Sequence, residues 1–246
     1  MPSLKDLAKE CGVSVATVSK ALNDQPDISP ATRERVRAAA HRMGYLPNAA
    51  ARSLKTNRTY NLGVLFVDER QSGLTHEYFS AVLDSFKVEA ETRGYDITFI
   101  NHSGKSMSYL EHCRYRNVDG VCVVCADFYA PEVIELVDSN LPVVTIDHSF
   151  NNRSCVLSDN IGGLKLLVDA AYQKGHRKIA YVHGEKSSVP ENRIIGFYRA
   201  MQEHGLNVNP DFVVEALYDN PATSMQAVLN LMNRPDPPTC ILLPDD

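Results

Sequence analysis

One short stretch carries the side chains that a base-reading surface needs. In VSVATVSKALN (residues 13–23), Val15, Ala16 and Thr17 offer methyl groups, Thr17 and Ser19 offer hydroxyls, Lys20 an ammonium and Asn23 an amide. Methyl groups pack on the thymine methyl, while hydroxyls, amides and ammonium groups meet base edges and phosphates. Val15, Thr17 and Val18 are branched at Cβ and lose χ1 freedom in a helix, so stability alone does not explain their company. The outer face of such a helix is there to touch something.

Other chemistry finds less support. Cys122-Val-Val-Cys125 has zinc-like spacing but falls in an apolar run, with no second Cys or His pair to complete four ligands. A core role fits it better. Gly104-Lys105-Ser106 resembles the end of a P-loop, yet Phe99 stands where the first glycine is required. There is no GxSxG elbow and no HExxH helix, and the eight histidines are dispersed. We expect no catalytic residues, no metal and no cofactor.

The elements around the first stretch position it. Ser3 and Asp6 fit a capping box that opens a helix through about Cys11, with Leu4, Leu7 and Ala8 on one stripe and Gly12 as the stop. Ser14 is an N-cap for a second helix from Val15 to about Asn23, with Val18 and Leu22 inward. Ser29-Pro30 opens a third, whose buried stripe is Val36, Ala39, Ala40 and Met43 and whose stop is Gly44. Three short helices with a tight turn make a helix-turn-helix candidate, and its second helix is the one that enters the major groove.

Charge agrees with that placement. Residues 1–60 hold ten Lys or Arg against five Asp or Glu, a balance of +5, and the chain as a whole is −5, which leaves −10 beyond residue 60. A basic end suits a polyanion. With 246 residues, 44% of them apolar, the chain is long enough for a smaller domain beside a principal one. No run of about 18 apolar residues occurs and Met1 is followed by a polar helix start, so the sequence predicts a cytoplasmic protein with no membrane association. Cys11, Cys113, Cys122, Cys125, Cys155 and Cys240 are expected as reduced core thiols.

From Asn61 onward, strands and helices alternate. Strands are predicted at 62–67, 96–100, 120–125, 142–146, 178–183, 212–217 and 239–243, and helices at roughly 77–93, 107–115, 131–139, 161–174, 191–204 and 222–233. Continuous apolar strands joined by helices imply parallel sheets covered on both faces. Such sheets bind ligands beyond the carboxyl ends of their strands, which selects Asp68, Asp127, Phe128, Asp147, Asp245 and Asp246.

LKDLAKECGVSVATVSKALN, followed by ISPATRERVRAAAHRMGYLPNAAARSLKTNRTYNLGVL, resembles the amino-terminal region of the lactose-repressor family of bacterial transcription regulators. VLSDNIGG, QKGHRKIAYVHG, NRIIGFYRAM and PTCILLPDD extend the resemblance through essentially the whole chain. In LPNAAARSLKT, Asn48 can cap a short helix from Ala49 to Lys55 that is too short to hold alone, so its folding is expected to depend on a partner. The resemblance implies that this hinge helix pairs with its dimer mate in the minor groove, with Leu54 as the apolar wedge and Lys55 beside it on backbone or base edges. It also implies two periplasmic-binding-protein-like lobes with an effector between them. Tyr78 and Phe79 match the family's aromatic position, and Asp147, Arg193 and Asp246 its polar effector contacts. A guanidinium with several fixed donors beside carboxylates that accept from hydroxyls suits a sugar or another polyhydroxylated molecule.

Two departures stand out. The loop DERQSGLTHEYF lacks the family's usual Asn-Pro before the aromatics, and the chain stops at Asp246 where the family continues. On that ground the sequence is expected to be a fragment, with both lobes incomplete. The fold expected is an all-α helix-turn-helix DNA-binding domain (1–46), a hinge (47–60) and an α/β two-lobed effector-binding domain with parallel sheets (61–246, lobes 61–158 and 159–246). The function expected is a homodimeric repressor of transcription, bound to double-stranded operator DNA and controlled by a small effector, a sugar or sugar derivative. The alternative is a cytoplasmic sugar-binding protein or α/β enzyme with an incidental basic helical domain.

Overall fold

A computed structural model describes residues 2–46, 53, 58–67, 74, 76–102, 107–185, 187–217 and 220–244. The chain divides into two compact units, Met1–Thr59 and Tyr60–Asp246.

In the first unit, α1 (Leu4–Cys11), α2 (Val15–Leu22) and α3 (Pro30–Met43) pack around Leu7, Val18, Ala21 and Val36, all without exposed surface. Burying each of the larger three contributes roughly 1.5–3 kcal/mol before the cost of ordering the chain. Each start is capped as the sequence predicts. Ser3 and Asp6 exchange hydrogen bonds as a capping box, and Ser14 and Ser29 accept from Thr17 N and Thr32 N. The bond from the Ser3 hydroxyl and the one from its backbone hold the Asp6 carboxyl below its usual range. Gly12 takes a left-handed backbone (φ 62°), which turns the chain sharply enough for α2 to fold back on α1. Ala21 joins the buried side of α2, where the sequence reading placed only Val18 and Leu22; Leu22 is half-buried.

In the second unit a five-stranded parallel sheet has the order β2-β1-β3-β4-β5, made of β1 (Asn61–Phe66), β2 (Asp96–Ile100), β3 (Gly120–Cys125), β4 (Val143–Ile146) and β5 (Ser154–Val156). Both faces are covered, because successive side chains along a strand point to opposite sides. Val64, Cys122, Val124 and Ile146 meet Phe79, Val82, Leu83 and Phe86 of α4 (Glu77–Thr92). Leu65, Val121 and Val123 meet α5 (Tyr109–Arg116) and α6 (Pro131–Asp138) on the other side. Cys122 is buried in this core beside Val64, Val124 and Ile146, and Cys125 pairs with Phe66 past a shift in register at the end of β3.

A second parallel sheet, β7-β6-β8, is built from β6 (Ile179–His183), β7 (Val213–Glu215) and β8 (Cys240–Leu242). One face carries α7 (Asn160–Gln173) and α8 (Ser188–Glu203) around Tyr181 and Phe197, and the other carries α9 (Pro221–Met232). Two local predictions needed correcting. β5 is an additional strand, three residues long with exposed ends, too short to leave a sequence pattern. Helix α8 starts at Ser188 and not at 191, because Pro190 in the first turn has no N–H that the helix needs. Among the described residues, no helix is long and apolar enough to cross a membrane.

Candidate nucleic-acid interface and effector site

Helix α2 leaves one side open. Val15 is 41% exposed. Ala16 and Lys20 are also exposed, while Thr17 and Ser19 are half-buried. Thr17 and Asn23 already have work inside the unit: the Thr17 hydroxyl lies 2.9 Å from Ser14 Oγ, and the Asn23 amide donates to Ser19 O at 2.7 Å. Lys20 is engaged too, its ammonium 2.5 Å from Asp27 Oδ2 in the loop to α3. In the same loop Asp24, with a left-handed backbone (φ 54°), accepts from Arg37 at 2.5 Å and pairs with Arg33 at 3.5 Å. Leu54 and Lys55 lie outside the described residues.

The second unit gathers polar groups at the carboxyl ends of β4 and β8. Asp147, the residue after β4, has a left-handed backbone (φ 55°) that aims its carboxylate along two directions. Oδ2 accepts from the Tyr78 hydroxyl in the first turn of α4, and Oδ1 accepts from Ser158 N at 2.8 Å. Its carbonyl accepts from Ser188 Oγ of α8 at 2.9 Å. Burial, first, and the neighbouring Asp147 carboxylate, second, push the Tyr78 phenol above its ordinary value, so it remains a donor at neutral pH. Arg193 of α8 donates through Nε to Asn160 Oδ1 at 2.9 Å and through Nη1 to the Pro244 carbonyl at 2.7 Å, just past β8.

A close helix crossing holds this arrangement. A Cβ on Gly196 would sit 2.5 Å from the Ile161 carbonyl oxygen, so α7 and α8 approach at a distance only glycine permits. Ile161 follows Asn160, and Gly196 is one turn beyond Arg193, so the crossing sets the amide beside the guanidinium. Asp159 caps α7 by accepting from Gly162 N at 2.9 Å.

Of the residues selected from sequence, Tyr78 and Asp147 are thus in direct contact, and Arg193 is linked to them through Asn160 and Ser158, whose carbonyl accepts from the Asn160 amide at 3.3 Å. The Phe79 ring meets the Tyr78 ring edge-on at 5.3 Å but turns toward the core. Adjacent helical residues point about 100° apart, and the Phe79 ring packs edge-on to Phe66 at 5.3 Å in the core beneath α4. Asp127 accepts from Tyr129 N at 2.9 Å, and Phe128 stacks on His148 with centroids 4.5 Å apart. Burial lowers the pKa of His148. Asp68, Asp245 and Asp246 lie outside the described residues. Sequence reasoning missed Ser158, Asn160 and Ser188. Asn160 stood in the quoted VLSDNIGG, where an Asn at a helix start reads first as a capping residue. The set as a whole offers fixed donors and acceptors to a polar molecule.

Comparison with known proteins bears directly on both units. Residues 3–48 match the family model described as bacterial regulatory proteins, lacI family, and residues 60–243 match that of periplasmic binding proteins and the sugar binding domain of the LacI family. The HTH-type transcriptional repressor PurR of Vibrio vulnificus (strain CMCP6) is 32% identical over 259 residues, covering 100% of this chain and 74% of the relative. PurR of Haemophilus influenzae (strain ATCC 51907 / DSM 11121 / KW20 / Rd) is 29% identical over 253 residues, covering 100% and 73%. Among solved structures, the lac repressor dimer bound to operator and the anti-inducer ONPF superposes with a TM-score of 0.75 at 23% identity, covering 100% of this chain and 74% of that one. The transcriptional regulator CelR in complex with cellobiose gives 0.61 at 24%, covering 99% and 74%. The structural likenesses carry the fold: a helix-turn-helix unit and a periplasmic-binding-protein-like α/β unit with parallel sheets. The chain belongs to the lacI family of bacterial regulatory proteins.

Proposed function

We propose that the protein is a sequence-specific DNA-binding repressor of transcription whose operator affinity is set by a small polar effector. The observation that carries this reading is the coexistence in one chain of a capped helix with an open, cation-bearing side and a cluster of Tyr78, Asp147, Asn160 and Arg193 at sheet ends. Val15, Ala16, Thr17, Ser19, Lys20 and Asn23 are assigned to the major groove, and Leu54 and Lys55, by family resemblance, to the minor groove. A homodimer sets two such helices in successive major grooves of a pseudo-palindromic site. The curated relatives are named as repressors, and one structural relative is a dimer on operator DNA.

The effector reading follows from donor and acceptor geometry. Tyr78, Asp147 and Arg193 are assigned to the effector, Asn160 joins them as the acceptor that orients Arg193, and Phe79 and Asp246 are kept on family resemblance alone. A polyhydroxylated molecule, a sugar or sugar derivative, fits a guanidinium fork beside a carboxylate. CelR, a structural relative, is complexed with cellobiose. Binding coupled to DNA affinity, and not turnover, is the expected outcome.

Fluorescence anisotropy with duplex DNA over a salt series tests the first half. Affinity should fall steeply as salt rises, because each phosphate contact releases counterions. Salt-independent binding would remove the DNA reading. A thermal-shift screen of sugars and nucleobases, followed by anisotropy with each hit, tests the second half; a ligand that raises stability but leaves DNA affinity unchanged would remove the coupling.

A further inference from the structure

The loop between α2 and α3, NDQPDI (residues 23–28), puts two carboxylates among the cations that a DNA-facing unit needs. Asp27 holds Lys20 at 2.5 Å, and Asp24 holds Arg37 at 2.5 Å and Arg33 at 3.5 Å. Arg33 is fixed further, donating to the Gln25 and Ile28 carbonyls at 3.1 and 3.2 Å. The two carboxylates differ in what they constrain. Asp24 ties cations of α3, whereas Asp27 ties the one ammonium on the open side of α2. Both members of the Lys20–Asp27 pair are about half exposed, at 48% and 53% of their side-chain surface, so the pair is reachable by a competing anion.

We propose that Asp27 is a specificity-determining residue that occupies Lys20 as an internal stand-in for a DNA phosphate and so withholds that ammonium from arbitrary duplex. The inference rests on the DNA-binding reading of α2 and deepens it. A phosphate offers Lys20 little more than a carboxylate already in place, since both are exposed anions at similar range, and the pair stays closed on random DNA. Guanine presents two acceptors side by side in the major groove, and cytosine presents a donor to a carboxylate. Opening the pair is rewarded where such base edges stand opposite Lys20 and Asp27. The ammonium also holds the Asp27 carboxyl below its usual range, so the gate stays charged near neutral pH.

The experiment uses the full chain and a duplex of arbitrary sequence, with affinity read by anisotropy over a salt series. Asp27→Asn should bind that duplex roughly two- to five-fold tighter at low salt. Its log–log salt slope should steepen by about 0.9, one added phosphate contact. Both changes should vanish when Asp27→Asn is made in a Lys20→Ala background. Asp27→Ser, in a loop position away from the core, should repeat the result and exclude an effect of the amide itself. Unchanged affinity and slope in both variants would overturn the gate. A gain that persists undiminished without Lys20 would also overturn it, leaving Asp27 as a general repulsive charge. Wild-type protein that binds duplex with no salt dependence would instead sink the DNA-binding reading, and the gate with it.

Discussion

The hydroxyl of Tyr78 donates to the carboxylate of Asp147, sixty-nine positions later in the chain, and joins the first turn of α4 to the end of β4. The bond explains why an aromatic with 41% of its surface exposed stands at that helix start. It also gives the candidate effector site a pH signature. The folded phenol titrates above its unfolded value, so its contribution to stability is complete below the ordinary tyrosine range and is lost as pH rises through the folded value. Tyr78→Phe should flatten the alkaline loss of stability above about pH 10. Urea melts at a series of alkaline pH values would show this; identical pH profiles for variant and wild type would contradict it.

Arg193→Ala removes two tethers, to Asn160 and to the Pro244 carbonyl. We expect effector response to disappear while effector-independent DNA binding persists, because the sites communicate only through differential state affinities. The half-buried Asn160–Arg193 bond should cost about 1–2 kcal/mol in stability. Arg193→Lys keeps the charge but cannot span both partners, so it should recover little. Calorimetry with a ligand from the thermal-shift screen decides the point. Wild-type effector affinity in Arg193→Ala would make the residue purely structural.

Two substitutions on the first unit separate folding from reading. Ser14→Ala removes the cap on Thr17 N and should lower stability by about 1 kcal/mol. Lys20→Ala should leave the melting temperature near wild type and weaken operator binding. Thermal denaturation and anisotropy measured together test the split, and it fails if Lys20→Ala unfolds the unit or leaves binding intact.

Burial pushes the Cys113 thiol up to about 12 and the Cys122 thiol up to about 11. Native protein at neutral pH therefore presents neither as a thiolate, and neither should react with a thiol reagent before unfolding. Because both folded values are raised, the stabilisation they carry is whole below the ordinary cysteine range and drains away as pH climbs toward those values. Mass spectrometry after timed alkylation locates the labelled cysteines. Rapid native labelling of Cys113 or Cys122 would show that the core opens.

Local chemistry was legible where it is written within a few residues. The serine caps, Gly12 and the apolar strands announced α1 to α3 and most of both sheets, since each depends on neighbours in sequence. Tyr78, Asp147 and Arg193 were found because a topological rule and a family resemblance point at strand ends and matched positions. Asn160, Ser158 and Ser188 were not, because their importance comes from partners far along the chain. No periodicity encodes that Asn160 faces Arg193, thirty-three positions away. Phe79 shows the opposite limit: two adjacent aromatics look alike in sequence, and only helix rotation assigns one to the core. The Lys20–Asp27 pair was hidden for a related reason, since charge counting assigns a cation to solvent or DNA without seeing the carboxylate folded back upon it.

The contact between Gly196 and the Ile161 backbone behaves as a joint without play. A side chain at position 196 would run into the Ile161 carbonyl, so the crossing accepts only glycine there. Because Ile161 stands next to Asn160 and Gly196 one turn from Arg193, the same crossing fixes how the amide meets the guanidinium. Side chains around Asn160 and Arg193 can change without touching this crossing, whereas any residue larger than glycine at position 196 would push the two helices apart.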